Sequence, residues 1–152
     1  MNMMEELTMA NDVEIWDHMT KDHARIIGFL EGLRVSFGKE PSVIRQAFER
    51  FRWTLEKHFF TEERAIFTFL KQEDETGGMI NDILREHSEI LGMLDALGKD
   101  IDDERHIDIT GLSDLLVRHS QFEEKVLYPR LDRELSAEHK RFILGRITSI
   151  VE

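Results

Sequence analysis

The sequence predicts an all-α fold: an up-down-up-down four-helix bundle with a short C-terminal fifth helix. Three observations predict it. Apolar residues recur every three or four positions, the period of a helix that buries one face. Only two Pro and nine Gly interrupt 152 residues. No strand-like alternation competes, and long helical stretches with short connections favour a bundle.

Each element has its own signal. Helix one is expected from about Asp12 to Phe37, with Ile15, Met19, Ile26, Ile27, Leu30, Leu33 and Phe37 on its apolar stripe and Gly38 as its stop. Pro41 suits the first turn of helix two, which runs to about Lys71. Its inward positions are Ile44, Ala47, Phe48, Phe51, Leu55, Phe59, Ile66 and Leu70. Thr76 with Gly77-Gly78 reads as a turn and N-cap before helix three, which runs to about Leu97 with Ile80, Ile83, Leu84, Ile90, Leu91 and Leu94 inward. The segment "GKDIDDERHIDIT" reads as a polar loop. Helix four runs from about Gly111 past Tyr128, with a bend expected at Pro129, whose ring removes a backbone donor. Ser136 caps the fifth helix, Ala137 to Val151. The reading is one domain over 1–152, with a bundle core at about 12–131 and a C-terminal helix at about 137–151.

Composition narrows the chemistry. There is no Cys, so thiolate metal sites, Cys nucleophiles and dithiol redox chemistry are excluded. Seven His leave imidazole and carboxylate as metal donors. A formal net charge of −11 opposes nucleic-acid phosphates and anionic lipid, so neither nucleic acid nor membrane is an expected partner. The acidic N-terminus "MNMMEELTMANDVE" lacks the pattern of a secretory signal, and the apolar runs are short. A cytoplasmic location is expected.

The chain repeats itself. "KDHARIIGFLEGL" at Lys21 aligns with "REHSEILGMLDAL" at Arg85, an offset of 64, and "HFFTEERAIFTFLK" at His58 aligns with "HSQFEEKVLYPRLD" at His119, an offset of 61. Two similar helical hairpins would pack with pseudo-two-fold symmetry. Each would bring one lone His and one His-x-x-x-Glu to a shared interior. His23, His58, Glu62, His87, His119 and Glu123 all lie at the centre of an apolar stripe, and residues four apart share a helix face. A lone His there is commonly a hydrogen-bonded core residue. A buried ionised Glu is harder to accommodate, costing several kcal/mol unless paired or bound to metal. No Lys or Arg recurs on the stripe to neutralise the pair, whereas two divalent metals would. Without them, two buried like charges are expected to take up protons. Four imidazoles and two carboxylates without sulfur suit iron, manganese or zinc.

The ordered set of lone His, His-x-x-x-Glu, lone His, His-x-x-x-Glu, carried by "DHARIIGFLEGL", "HFFTEERAIF", "EHSEILGMLDAL" and "HSQFEEKVLYPRL", resembles the haemerythrin-like (HHE cation-binding) domain family over roughly Val13 to Leu131. The resemblance implies two iron ions in a non-haem di-iron site, joined by an oxo or hydroxo bridge. His23 and His58 would bind one iron, His87 and His119 the other, with Glu62 and Glu123 bridging. It further implies a small diatomic ligand or peroxide as partner, in stress response, sensing or iron handling. The alternatives are peroxide or nitric oxide decomposition, iron-centre repair, or reversible oxygen carriage. Oxygen-carrying members place a fifth His one turn after the lone His of helix three; here that position is Leu91. His18 lies five before His23, about 140° around the helix, and is read as rim. His106 and His139 are read as solvated, Glu63 and Glu124 as exposed helix-face charges with hydrogen bonding to the site residues as the alternative, and Trp16 and Trp53 as packing residues. Tyr128 is read as packing with a capacity to donate a hydrogen bond near the site.

Overall fold

The computed structural model describes residues 14–70 and 75–151. The described residues form helices α1 (Ile15–Ser36), α2 (Pro41–Thr61), α3 (Glu75–Asp102), α4 (Thr110–Phe122), α5 (Tyr128–Glu134) and α6 (Ala137–Val151). A π-helical turn, Glu62–Ile66, and a 3-10 turn, Phe67–Phe69, continue α2, while a second π turn, Glu123–Leu127, joins α4 to α5. Helix α1 packs on α2, α2 on α3 and α3 on α4; α5 then closes the ring against α1. The expected limits at Asp12 and Lys71 fall outside the described residues.

Local chemistry sets the boundaries. Gly38 adopts φ 91°, the left-handed conformation that ends α1. Pro41 opens α2, where its missing N–H is no loss. In α6 the Ser136 hydroxyl accepts the His139 N–H at 3.1 Å, the N-cap read from the sequence. Helix α3 departs from expectation at both ends. It runs through Thr76, Gly77 and Gly78 and continues to Asp102, past Leu97. Leu97 and Ile101 are both buried, so the apolar stripe itself extends the helix into the segment read as loop. Gly98 faces the Phe48 ring, where an added Cβ would come within 3.2 Å. At the fourth helix the break falls before Pro129, in the π turn. Pro129 then sits in the first turn of α5, which needs no donor there.

The interior is two apolar cores with a polar layer between them. Leu30, Leu33, Phe48, Phe51, Leu55, Ile90, Leu94 and Leu116 belong to one core. Ile15, Met19, Ile66, Ile80, Ile83, Leu127, Leu131 and Ile143 belong to the other. Ile27, expected inward, is 37% exposed. It follows the buried Ile26 by one residue, about 100° of helix, and the bundle covers only one of the two.

A cap supplied from across the bundle secures α1. Asp132 accepts the backbone N–H groups of Ile15 at 2.9 Å and Trp16 at 3.1 Å, and the Trp16 indole N–H donates to the Glu124 carbonyl at 2.9 Å. Burial and the nearby Glu14 push the Asp132 carboxyl up to about 6. Asp132→Ala leaves both donors without this acceptor and should cost about 1 kcal/mol of stability, read as a lower melting temperature of the intact bundle. An unchanged melting temperature would show that the cap adds nothing.

Candidate metal centre

The polar layer is built by the two repeats. His23 comes from α1, His58 from α2, His87 from α3 and His119 from α4, each between apolar residues of the two cores. Glu62 and Glu123 each open a π turn. In these turns the Phe67 N–H reaches the Glu62 carbonyl and the Tyr128 N–H reaches the Glu123 carbonyl, five residues back. The longer turn returns the fifth residue to the face of the glutamate, so Phe67 and Tyr128 are buried beside the site.

All six side chains are buried, and both glutamates are 0% exposed. Their imidazole and carboxylate atoms converge. Glu123 Oε1 lies 3.1 Å from His23 Nε2 and 3.3 Å from His119 Nε2. Glu62 Oε1 lies 3.0 Å from His58 Nε2 and 3.4 Å from His87 Nε2. Two groups have the spacing to hold a metal ion: His23, His58 and Glu123, and Glu62, His87, His119 and Glu123.

Whether a metal suits this layer is decided by the hydrogen bonds its atoms do not make. Among the described residues, six buried side-chain polar atoms lack a hydrogen-bond partner. Five of them are Glu62 Oε1, His87 Nε2, His119 Nε2 and both oxygens of Glu123. Buried polar atoms are normally satisfied, and a cluster of lone pairs facing one point is a donor set for a cation. The sequence model of the Hemerythrin HHE cation binding domain matches residues 14–131.

The chain belongs to this family. No curated protein and no solved structure matches it.

The HHE layer has an outer ring that sequence reasoning gives only in part, with Glu63 and Glu124 as an alternative reading. Each imidazole has a carboxylate at Nδ1: Glu124 for His23 at 3.0 Å, Asp22 for His58 at 2.6 Å, Glu63 for His87 at 3.2 Å, and Glu86 for His119 at 3.0 Å. Glu63 and Glu124 are thus partners of the site, not free surface charges. Asp22 and Glu86 were not singled out at all. The signal was present: an acid precedes the lone His and follows the ligand-type Glu in both copies of the repeat. What hid it is that each acid reaches a His on another helix. A carboxylate on Nδ1–H leaves Nε2 as the lone-pair nitrogen, the form that ligates a metal. Phe59 stacks on His87 with ring centroids 3.8 Å apart.

Charge in the HHE layer runs opposite to one expectation. Burial alone would suppress the charge on His58. The Glu62 carboxylate and the Asp22 hydrogen bond outweigh it and push the imidazole up to about 10. Burial likewise opposes charge on His119, but Glu123 and Glu86 push it up to about 9. Burial also disfavours charge on Glu62, yet the His58 charge holds its carboxyl well below the usual range. In the metal-free domain, protons on imidazoles therefore neutralise the layer, where the sequence suggested protonated carboxylates. Burial, Glu123 and Glu62 push the Tyr128 phenol up, which keeps it a donor; its hydroxyl donates to Glu62 Oε2 at 2.9 Å.

His18 is half-buried, belongs to neither metal group and is pushed down chiefly by burial. His106 and His139 are exposed, as are Trp16 and Trp53. Leu91 is half-buried against the core and offers hydrocarbon where the oxygen carriers have a fifth His. No helix among the described residues is long and apolar enough to cross a membrane.

Proposed function

We propose that this HHE domain is a non-haem di-iron protein that binds a small diatomic ligand or peroxide. Its metal ligands are His23, His58, Glu62, His87, His119 and Glu123. The observation that carries the reading is the convergence of five unpartnered, buried donor atoms in one layer. Two iron ions there would supply redox equivalents and coordination positions for an exogenous ligand. Manganese and zinc suit the same donors, and iron is the metal whose redox chemistry serves such a ligand.

The protein's part is to hold, orient and exclude. The Nδ1 carboxylates fix ring orientation and make the imidazoles stronger donors. Phe59, Phe67, Leu127 and the flanking cores keep the layer away from bulk water. With Leu91 in place of a fifth His, the protein supplies one imidazole fewer, and a bound metal would keep a position open to a small ligand. The work of such a domain is stress response, sensing or iron handling.

Anaerobic iron loading followed by metal analysis tests the reading. Two irons per chain are expected, a number set by the two donor groups. His18→Ala should retain both. His87→Ala removes an imidazole from the larger group and should lose most of the metal held there. Equal losses in the two variants would defeat the ligand assignment. A wild-type stoichiometry held at one or below would defeat the dinuclear one.

A further inference from the structure

The outer face of α2 carries a pattern that neither the bundle nor the metal layer uses. Arg50, Lys57 and Arg64 recur every seven residues, and Trp53 and Phe60 follow the first two by three. Residues three and four apart share one helical face. That face is turned away from the core, because Phe51 and Leu55 are buried on the opposite side of the helix. Yet Trp53 is 66% exposed and Phe60 49%. A polar residue at either position would leave the bundle intact, so burial within this chain does not explain them. Single exposed apolar residues are ordinary, but two aromatics one heptad apart, set between cations, form a seam of the kind that pairs helices.

The cations belong to this seam. The Arg64 guanidinium lies 5.6 Å from the centre of the Phe60 ring, and that of Arg50 lies 5.9 Å from the Phe29 ring of α1. Arg146 of α6 donates to the Arg64 carbonyl at 2.6 Å and brings another guanidinium to that end. No acid occupies a position among these five residues of the repeat. The acids along its edge, Glu49, Glu56 and Glu63, each have a partner within the chain: Arg45 at 3.8 Å, Arg52 at 2.8 Å and His87 at 3.2 Å. On a chain of formal net charge −11, the seam is a cationic strip set with aromatic rings.

Charge decides what covers it. A second copy laid along the same seam would bring cations against cations between two strongly anionic bodies. A phosphate backbone would meet the same anionic body and the row of Glu49, Glu56 and Glu63. An acidic amphipathic helix meets the cations with opposite charge along a single stripe. Its carboxylates answer Arg50, Lys57 and Arg64, and its apolar residues, repeating every seven, cover Trp53 and Phe60. Aromatic residues and Arg are also the types that dominate the energetic centre of protein interfaces. The geometry points to the outer face of α2 as a docking surface for an acidic amphipathic helix of a partner protein.

The test uses the full-length protein and two synthetic helical peptides. Both carry Leu every seven residues to face the aromatic rings; at the positions facing the cations one carries Glu and the other Lys. Fluorescence anisotropy should show the Glu peptide binding at least about tenfold more tightly than the Lys peptide, with an affinity that falls as salt rises. Trp53→Ser combined with Phe60→Ser should weaken the Glu peptide about tenfold or more. Helical circular dichroism should stay unchanged, because both side chains are exposed. Arg50→Glu combined with Lys57→Glu should reverse the preference, and a gain of binding to the Lys peptide is not what structural damage produces. No binding of the Glu peptide by the wild type, equal binding of the two peptides, or wild-type binding by the Trp53 and Phe60 variant would overturn the inference. So would a dimer in sedimentation that the same two substitutions dissolve, which would give the seam to a second copy, or tighter binding of a single-stranded oligonucleotide than of the Glu peptide.

Discussion

Glu123→Ala is expected to remove metal from both positions at once while the four helices stay folded. Glu123 is the residue common to the two donor groups, and both of its oxygens lack a hydrogen-bond partner. Without it the four imidazoles share the single carboxylate of Glu62, whose Oε1 lies 3.0 Å from His58 Nε2 and 3.4 Å from His87 Nε2, which leaves two divalent ions under-coordinated and under-compensated in a buried layer. Iron content after anaerobic loading should fall well below one per chain. The substitution removes a buried carboxylate but also the partner that holds the His119 charge, so the metal-free variant should stay helical with a lower melting temperature. The neighbouring Glu124→Ala is the control. It deletes only the Nδ1 partner of His23, and loss of such an outer partner typically costs 10–100-fold in affinity without abolishing binding. Helical circular dichroism with metal analysis on both variants checks the pair. Two irons retained by Glu123→Ala would show that Glu123 is not shared.

The second large effect is on stability against pH, and its sign comes from the imidazoles. His58 and His119 are raised from 6.5 to about 10 and about 9 in the metal-free fold. A raised folded-state value means that the contribution is fully present below pH 6.5 and is lost as pH rises through 9 and 10. At about 1.4 kcal/mol per pH unit, the two together amount to several kcal/mol. Glu62, lowered, works the other way at the acid end: its contribution is present above about pH 4.5 and lost below it. The metal-free domain should therefore be most stable between about pH 4.5 and 6.5 and should lose melting temperature steadily towards pH 9. Metal binding needs neutral imidazoles, so loading near pH 7 should release about two protons per chain, one each from His58 and His119. The gap between loaded and metal-free melting temperatures should widen with rising pH. Thermal melts across this range and proton release in weakly buffered solution are the measurements. A metal-free protein that gains stability from pH 6.5 to 9 would contradict the charge assignment.

The bundle and the inner donors were legible in the sequence for a common reason. An apolar stripe at helical period states which face is buried, and a titratable residue inside that stripe announces itself by being out of place. His23, His58, Glu62, His87, His119 and Glu123 were found this way, and the duplication showed that they belong together. The cap at Ser136 was legible because it acts over three residues.

What the stripe could not reveal is anything that depends on the neighbouring helix. Asp22, Glu63, Glu86 and Glu124 lie off the stripe, where an acid reads as solvated, and only helix packing brings them to an imidazole Nδ1. The exposure of Ile27 was decided in the same way, by where α1 meets its neighbours. The π turns after Glu62 and Glu123 change the period that sequence reasoning assumes constant, and so bring Phe67 and Tyr128 to the layer. The ionisation of the layer follows from distances between helices rather than from burial of single residues. By itself, then, the sequence determined the all-helical class, most of the buried faces and the burial of the six His and Glu residues of the layer, because these rest on local periodicity and on the types of side chain the interior rejects. Tertiary structure alone decided which carboxylate serves which imidazole, and which glutamate oxygen Tyr128 holds, because hydrogen bonds and charges act across gaps of about 3 Å between segments far apart in the chain.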